Sequence, residues 1–114
     1  MTTFISLAVS ATMFPENGSI RMEPLTSDDI QDILASENIA SALNPSHATT
    51  IDAIRRRFDI DLPIPERASK VLLGYGDSVV ILQAQLPRLA EGEVHSDETV
   101  QSAPISFRRW TVEG

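Results

Sequence analysis

Apolar and polar positions along the chain fall into short blocks of period two or about 3.6, divided by turn chemistry. Phe4-Ile5-Ser6-Leu7-Ala8-Val9 is short and rich in strand formers, and Pro15-Glu16-Asn17-Gly18 after it is strong turn chemistry. From Ser19 to Leu25, Ile20, Met22 and Pro24 alternate with Ser19, Arg21 and Glu23, as in a half-buried strand. The two blocks together read as a hairpin. Thr26-Ser27-Asp28-Asp29 then sets a capping residue and early acids before Ile30, Ile33 and Leu34, which predicts a short helix ending near Ser36.

Asn44-Pro45-Ser46 opens a second helical set, Ile51, Ile54 and Phe58, and Asp61-Leu62-Pro63-Ile64-Pro65 cannot continue it. Arg67 to Leu73 leads through Gly74-Tyr75-Gly76-Asp77 into Ser78-Val79-Val80-Ile81-Leu82, which reads as a second hairpin. The unbroken run from Val79 to Leu82 predicts a central strand covered on both faces, with helices against the sheet. Ser96-Asp97-Glu98 caps one more helical turn, and Ile105 to Val112 is a final strand. The order β-β-α-α-β-β-α-β predicts an α/β (α+β) fold, a mixed sheet of about five strands flanked by helices.

Composition narrows the class. A chain of 114 residues, 42% apolar and 22% charged, suits one globular domain over residues 1–114. Cysteine is absent, which removes disulfides, thiolate metal sites and thiol nucleophiles and fits an intracellular, cytoplasmic setting. The net charge of -7 opposes binding to duplex nucleic acid, so a nucleic-acid ligand has to be small and locally recognised. Apart from Arg21 the basic residues all lie from Arg55 onward, which leaves room for a local positive pocket. Phe4 to Met13 carries Ser6, Ser10 and Thr12 with no basic residue before it, unlike a signal peptide or a membrane span, so no membrane association is expected.

Candidate chemistry is sparse. His47 stands at the start of the second helix, and the spacing 47, 51, 54, 58 puts it on the face of Ile51, Ile54 and Phe58, pointing inward or along a cleft. The free N–H groups of a helix start favour a phosphate, which an imidazole there would meet as acid or base. The plainer alternative is a histidine hydrogen-bonded to Ser46 or Thr50. Arg88 and Glu91 follow the central strand, where an arginine can grip a phosphate and a carboxylate can orient a reacting group. Their plainer alternative is a surface ion pair before Gly92. Arg55-Arg56-Arg57 reads as a solvated face, and His95 receives no role. No His-x-x-x-His pair, glycine-rich phosphate loop or Gly-x-Ser-x-Gly elbow occurs, so neither a metal nor another cofactor is expected.

In order, Ser41-Ala42-Leu43 before His47-Ala48-Thr49-Thr50, then Arg67, then Gly76-Asp77, then Arg88-Leu89-Ala90-Glu91-Gly92 followed by Ser96-Asp97-Glu98 resemble one family. It comprises small dimeric proteins of archaeal viruses, phages and mobile elements, and includes the viral anti-CRISPR ring nucleases. The resemblance implies a mixed α/β homodimer that binds cyclic tetra-adenylate, a cyclic oligoadenylate messenger, across its two-fold axis. It implies His47 as general acid, Arg88 and Glu91 as the other catalytic residues, and no metal. Arg67, Ser10, Thr12 and Gln83 fall where such proteins place ligand contacts. A member that has lost the chemistry would instead bind a cyclic nucleotide or a protein as an anti-defence accessory.

Overall fold

The computed structural model of the protein describes residues 1–85 and 102–113. Along the chain come β1 (Thr3–Ser6), β2 (Ser19–Leu25), α1 (Ser27–Ser36), β3 (Ile39–Ser41), α2 (Ala48–Phe58), β4 (Ser78–Ala84) and β5 (Ile105–Glu113). Short 3-10 turns over Ala11–Met13 and Pro45–His47 precede β2 and α2. The helical turn expected at Ser96-Asp97-Glu98 lies outside the described residues.

The strands build one mixed five-stranded sheet in the order β2-β5-β4-β1-β3. β1 runs parallel to β3 and β4, and β5 runs antiparallel to β4 and β2. Four strands therefore point one way and β5 runs against them, within the α+β class expected. Neither expected hairpin forms. β1 sits between β3 and β4, with Thr3 opposite both Ile39 and Ser78, whereas β2 is the outer strand beside β5. Burial explains the exchange: Thr3 and Ile5 need cover on both sides, while Ser19 to Met22 are exposed and suit an edge. Residues 67–73 form no strand, because both edges of β4 are already taken by β1 and β5.

The run from Val79 to Leu82 is buried on both faces, as a central strand must be. Val80 and Leu82 pack with Ile5, Ile30, Ile51, Ile54 and Phe107 beneath the two helices. Val79 and Ile81 face the other way, against Val71, Leu73 and Val112, with Met13, Phe14 and Trp110 partly buried around them. Among the described residues, irregular chain rather than a helix covers this second face. Connectivity accounts for it. α1 and α2 both pack on the first face, which leaves the long segment between α2 and β4 to pass over the second. After α2 the chain rounds the β3 edge, where Ser41 Oγ donates to the Pro63 carbonyl at 2.6 Å, and reaches the second face by Val71.

Local chemistry fixes the helix ends. Thr26 Oγ1 accepts from the Asp29 amide while the Asp29 carboxylate accepts from the Thr26 amide, a reciprocal cap for α1. α2 stops at Asp59, whose φ of 53° is left-handed, and the Gln31 amide donates to the Phe58 and Asp59 carbonyls there. Gly18, at φ +121°, turns into β2 where a Cβ would lie 3.0 Å from the Glu113 carbonyl oxygen.

At the amino edge, where the parallel strands begin, Glu37 gathers the polar groups of the helix-covered face. Thr3 Oγ1 donates to its Oε1 at 2.6 Å, and Arg109 Nη2 lies 2.7 and 2.6 Å from its two oxygens. Burial pushes the Glu37 carboxyl up, but the hydrogen bonds from Arg109 and Thr3 and the guanidinium charge outweigh it and hold it below the ordinary glutamate value. The Asp77 carboxyl is also lowered, by the backbone N–H groups of Thr2 and Gly74. A depressed folded-state pKa gives stability that is complete above the unfolded value and is lost as pH falls through the folded one. Urea midpoints should therefore hold near neutrality and decline from about pH 4.3 downward. Glu37→Gln should lower the plateau and flatten the decline; an acid limb as steep as that of the unaltered protein would show that Glu37 does not cause it.

Candidate functional site

The four like-pointing strands all end at the same edge, and loops beyond the carboxyl ends of such strands are where open α/β sheets bind ligands. Several residues singled out from sequence arrive there. β1 ends at Ser6 and leads to Ser10 and Thr12, exposed in the first 3-10 turn, whose hydroxyls are 2.9 Å apart. β3 ends at Ser41 and leads to His47. Gln83 is exposed next to the end of β4 at Ala84. Arg67 is exposed between two tethers, the Ser41–Pro63 hydrogen bond and the 2.7 Å bond from the Leu73 amide to the Met13 carbonyl. Arg88, Glu91 and His95 lie outside the described residues.

His47 is not on the buried face expected of it; its side chain is exposed. Helical phase counted back from Ile51 fails because α2 begins only at Ala48, and residues 45–47 follow the tighter 3-10 winding, with Asn44 Oδ1 accepting from the Ser46 amide. His47 is thereby the N-cap residue, at φ -97° and ψ 29°, and makes no side-chain capping bond. His47 is thus exposed at the start of α2, and helix starts favour bound anions.

The arginine triplet is not a simple solvated face. Arg55 Nη2 donates to the Leu62 carbonyl, Arg56 Nε to the Asp52 carbonyl at 3.3 Å, and Arg57 Nη1 to the Ala103 carbonyl at 2.6 Å. A shallow cavity of about 380 Å³ lined by Thr49, Asp52, Arg55 and Arg56 runs along α2. A wider one of about 600 Å³ lies at the opposite, amino edge, lined among others by Thr3, Arg21, Glu37, Ser78 and Arg109. Among the described residues it takes in Gly76 of the Gly76-Asp77 motif but none of Ser10, Thr12, His47, Arg67 and Gln83, and its charges neutralise one another: Arg109 pairs with Glu37, and Arg21 with Glu113 at 3.4 Å. Sequence reasoning missed this cluster; the available signal was Thr3 and Ser78, polar residues inside apolar strands. Among the described residues no group of three or more histidine or acidic side chains is placed to hold a metal ion, and no helix is long and apolar enough to cross a membrane.

Comparison with known proteins agrees with this architecture. No curated protein sequence matches the chain. Among solved structures it is similar to B116 of Sulfolobus turreted icosahedral virus, with a TM-score of 0.69 at 23% identity over 97% of this chain and 99% of that one. At that identity the likeness speaks for the fold. The sequence model of the STIV B116-like family matches residues 5–108, from β1 into β5 and across the whole carboxyl edge, and the chain therefore belongs to the STIV B116-like family.

Proposed function

We propose that the protein opens a cyclic oligoadenylate without a metal. The observation that carries this reading is the gathering of Ser10, Thr12, Gln83 and an exposed His47 at the carboxyl edge, with the chain toward Arg88 and Glu91 leaving from the same edge after β4. A ribose 2′-hydroxyl attacks the neighbouring phosphorus, forming the P–O2′ bond while the P–O5′ bond breaks. The hydroxyl proton passes to water, and the His47 imidazolium delivers its proton to the departing 5′ oxygen. A 2′,3′-cyclic phosphate and a 5′-hydroxyl result. Arg88 stabilises the phosphorane charge, Glu91 orients the reacting groups, and Arg67, Ser10, Thr12 and Gln83 hold the ring. Two copies of the chain share one ring, since a two-fold ligand matches a two-fold dimer.

The test is incubation of the purified protein with cyclic oligoadenylates of several ring sizes in EDTA, followed by chromatography and a binding titration. Linear products in EDTA are expected. Binding without products would replace the enzyme by a sequestering protein, and neither would leave a protein-binding accessory.

A further inference from the structure

We propose that Ser41 is a positioning residue for ring binding: its hydroxyl holds the root of a stiff prolyl arm, Pro63-Ile64-Pro65, and so sets where Arg67 stands at the carboxyl edge. The inference rests on the reading above that Arg67 helps to hold the ring there. Ser41 ends β3, the outer strand of the sheet, and leads to His47. Its Oγ accepts from the Leu43 amide at 3.4 Å and donates to the Pro63 carbonyl at 2.6 Å. One residue earlier, Arg55 Nη2 of α2 donates to the Leu62 carbonyl. A strand and a helix thus grip two successive carbonyls where the chain leaves the core, since Leu62 is wholly buried and Pro63 is exposed. Beyond that point each proline ring fixes its own φ, and Ile64, standing before a proline, is steered to extended backbone. Three stiff residues in a row carry the direction set at Pro63 toward Glu66 and Arg67. The segment returns to the fold at Leu73, whose amide donates to the Met13 carbonyl at 2.7 Å, next to Thr12.

The hydroxyl is poorly explained as a support of the fold. Leu62 before the arm and Val71 after it are buried whatever the serine does, and β3 pairs Ser41 with Ile5 through the backbone alone. Among the described residues, Ile64 to Lys70 carry no hydrogen bond or ion pair of their own, so the root of the arm is the last fixed point before Arg67. What the hydroxyl adds is direction. An arginine already placed for a phosphate has less freedom to lose when the ligand arrives, and pre-organisation of one long side chain is worth about 3- to 10-fold in affinity.

The experiment is a double-mutant cycle of Ser41→Ala, Arg67→Ala and the two together, with Ser41→Thr as the variant that keeps a hydroxyl, each titrated with cyclic tetra-adenylate beside the unaltered protein. Arg67→Ala should weaken binding by about 10- to 100-fold, as loss of a charged phosphate contact does. Ser41→Ala should weaken it by about 3- to 10-fold where Arg67 is present and by less than about twofold where Arg67 is gone. Ser41→Thr should restore the affinity. A general loosening of the edge would weaken binding alike with and without Arg67; that result, or full affinity in Ser41→Ala, would overturn the role of Ser41 alone. Full affinity in Arg67→Ala would remove the contact that the arm is said to aim, and the role of Ser41 with it. No binding by the unaltered protein would overturn the ring-binding reading itself, and the positioning role with it.

Discussion

Leu82→Ala is expected to remove about 2–5 kcal/mol of stability, the range for truncating a fully buried leucine whose surroundings cannot collapse. Leu82 has no exposed surface and lies on β4, the middle strand of the sheet, among Ile5, Ile51, Ile54 and Phe107. β5 pairs with it at Phe107, the β1 ladder ends one residue earlier at Ile81, and the helices close the face above it, so little can move into the space a shortened side chain leaves. Domains of this size hold about 5–15 kcal/mol in all, which makes the change a large share of the total. Gln83→Ala, one residue on and exposed, should stay within about 0.5 kcal/mol. Urea denaturation checks both through the midpoint at constant slope. A loss below about 1 kcal/mol at Leu82 would mean that the core repacks around the gap.

If the protein opens the ring as proposed, His47→Ala should slow that opening by about 10²- to 10⁴-fold, the usual contribution of a general acid, while ligand affinity and stability change little. That rate loss corresponds to about 3–5 kcal/mol of transition-state stabilisation. The separation of effects follows from exposure: the side chain supports no packing and caps no helix, so its removal takes away a proton donor and leaves the surrounding structure intact. Single-turnover rates and a binding titration on the same variant distinguish the possibilities. Equal losses in rate and affinity would make His47 a ligand contact, and an unchanged rate would remove it from the mechanism.

Local chemistry was the legible part of the fold. The Thr26 cap, the acids behind it and the Ile30 spacing specify α1 within one stretch of chain, and β2, β4 and β5 announce themselves by alternation or an apolar run. Strand partners were not legible, because a strand's own pattern gives its burial and not its neighbour. β1 thus looked like the first arm of a hairpin while its partners stood further along the chain. β3 has only three residues, too few to show a period. At the candidate site the polar positions Ser10, Thr12 and His47 were legible, but the outward turn of His47 depended on a change of helical winding that counting by 3.6 cannot foresee. The Glu37–Arg109 pair joins residues 72 apart and left no local signature.

The placement of β1 also bears on how the chain is made. Thr3 packs against Ser78, 75 residues later, so β1 leaves the ribosome well before the strand that fills its inner edge. Its other edge takes β3 sooner, but three residues of ladder are a weak hold. Until β4 arrives, the chain carries an apolar strand with an open edge, and that interval during synthesis is when the protein is most exposed to pairing with the wrong neighbour.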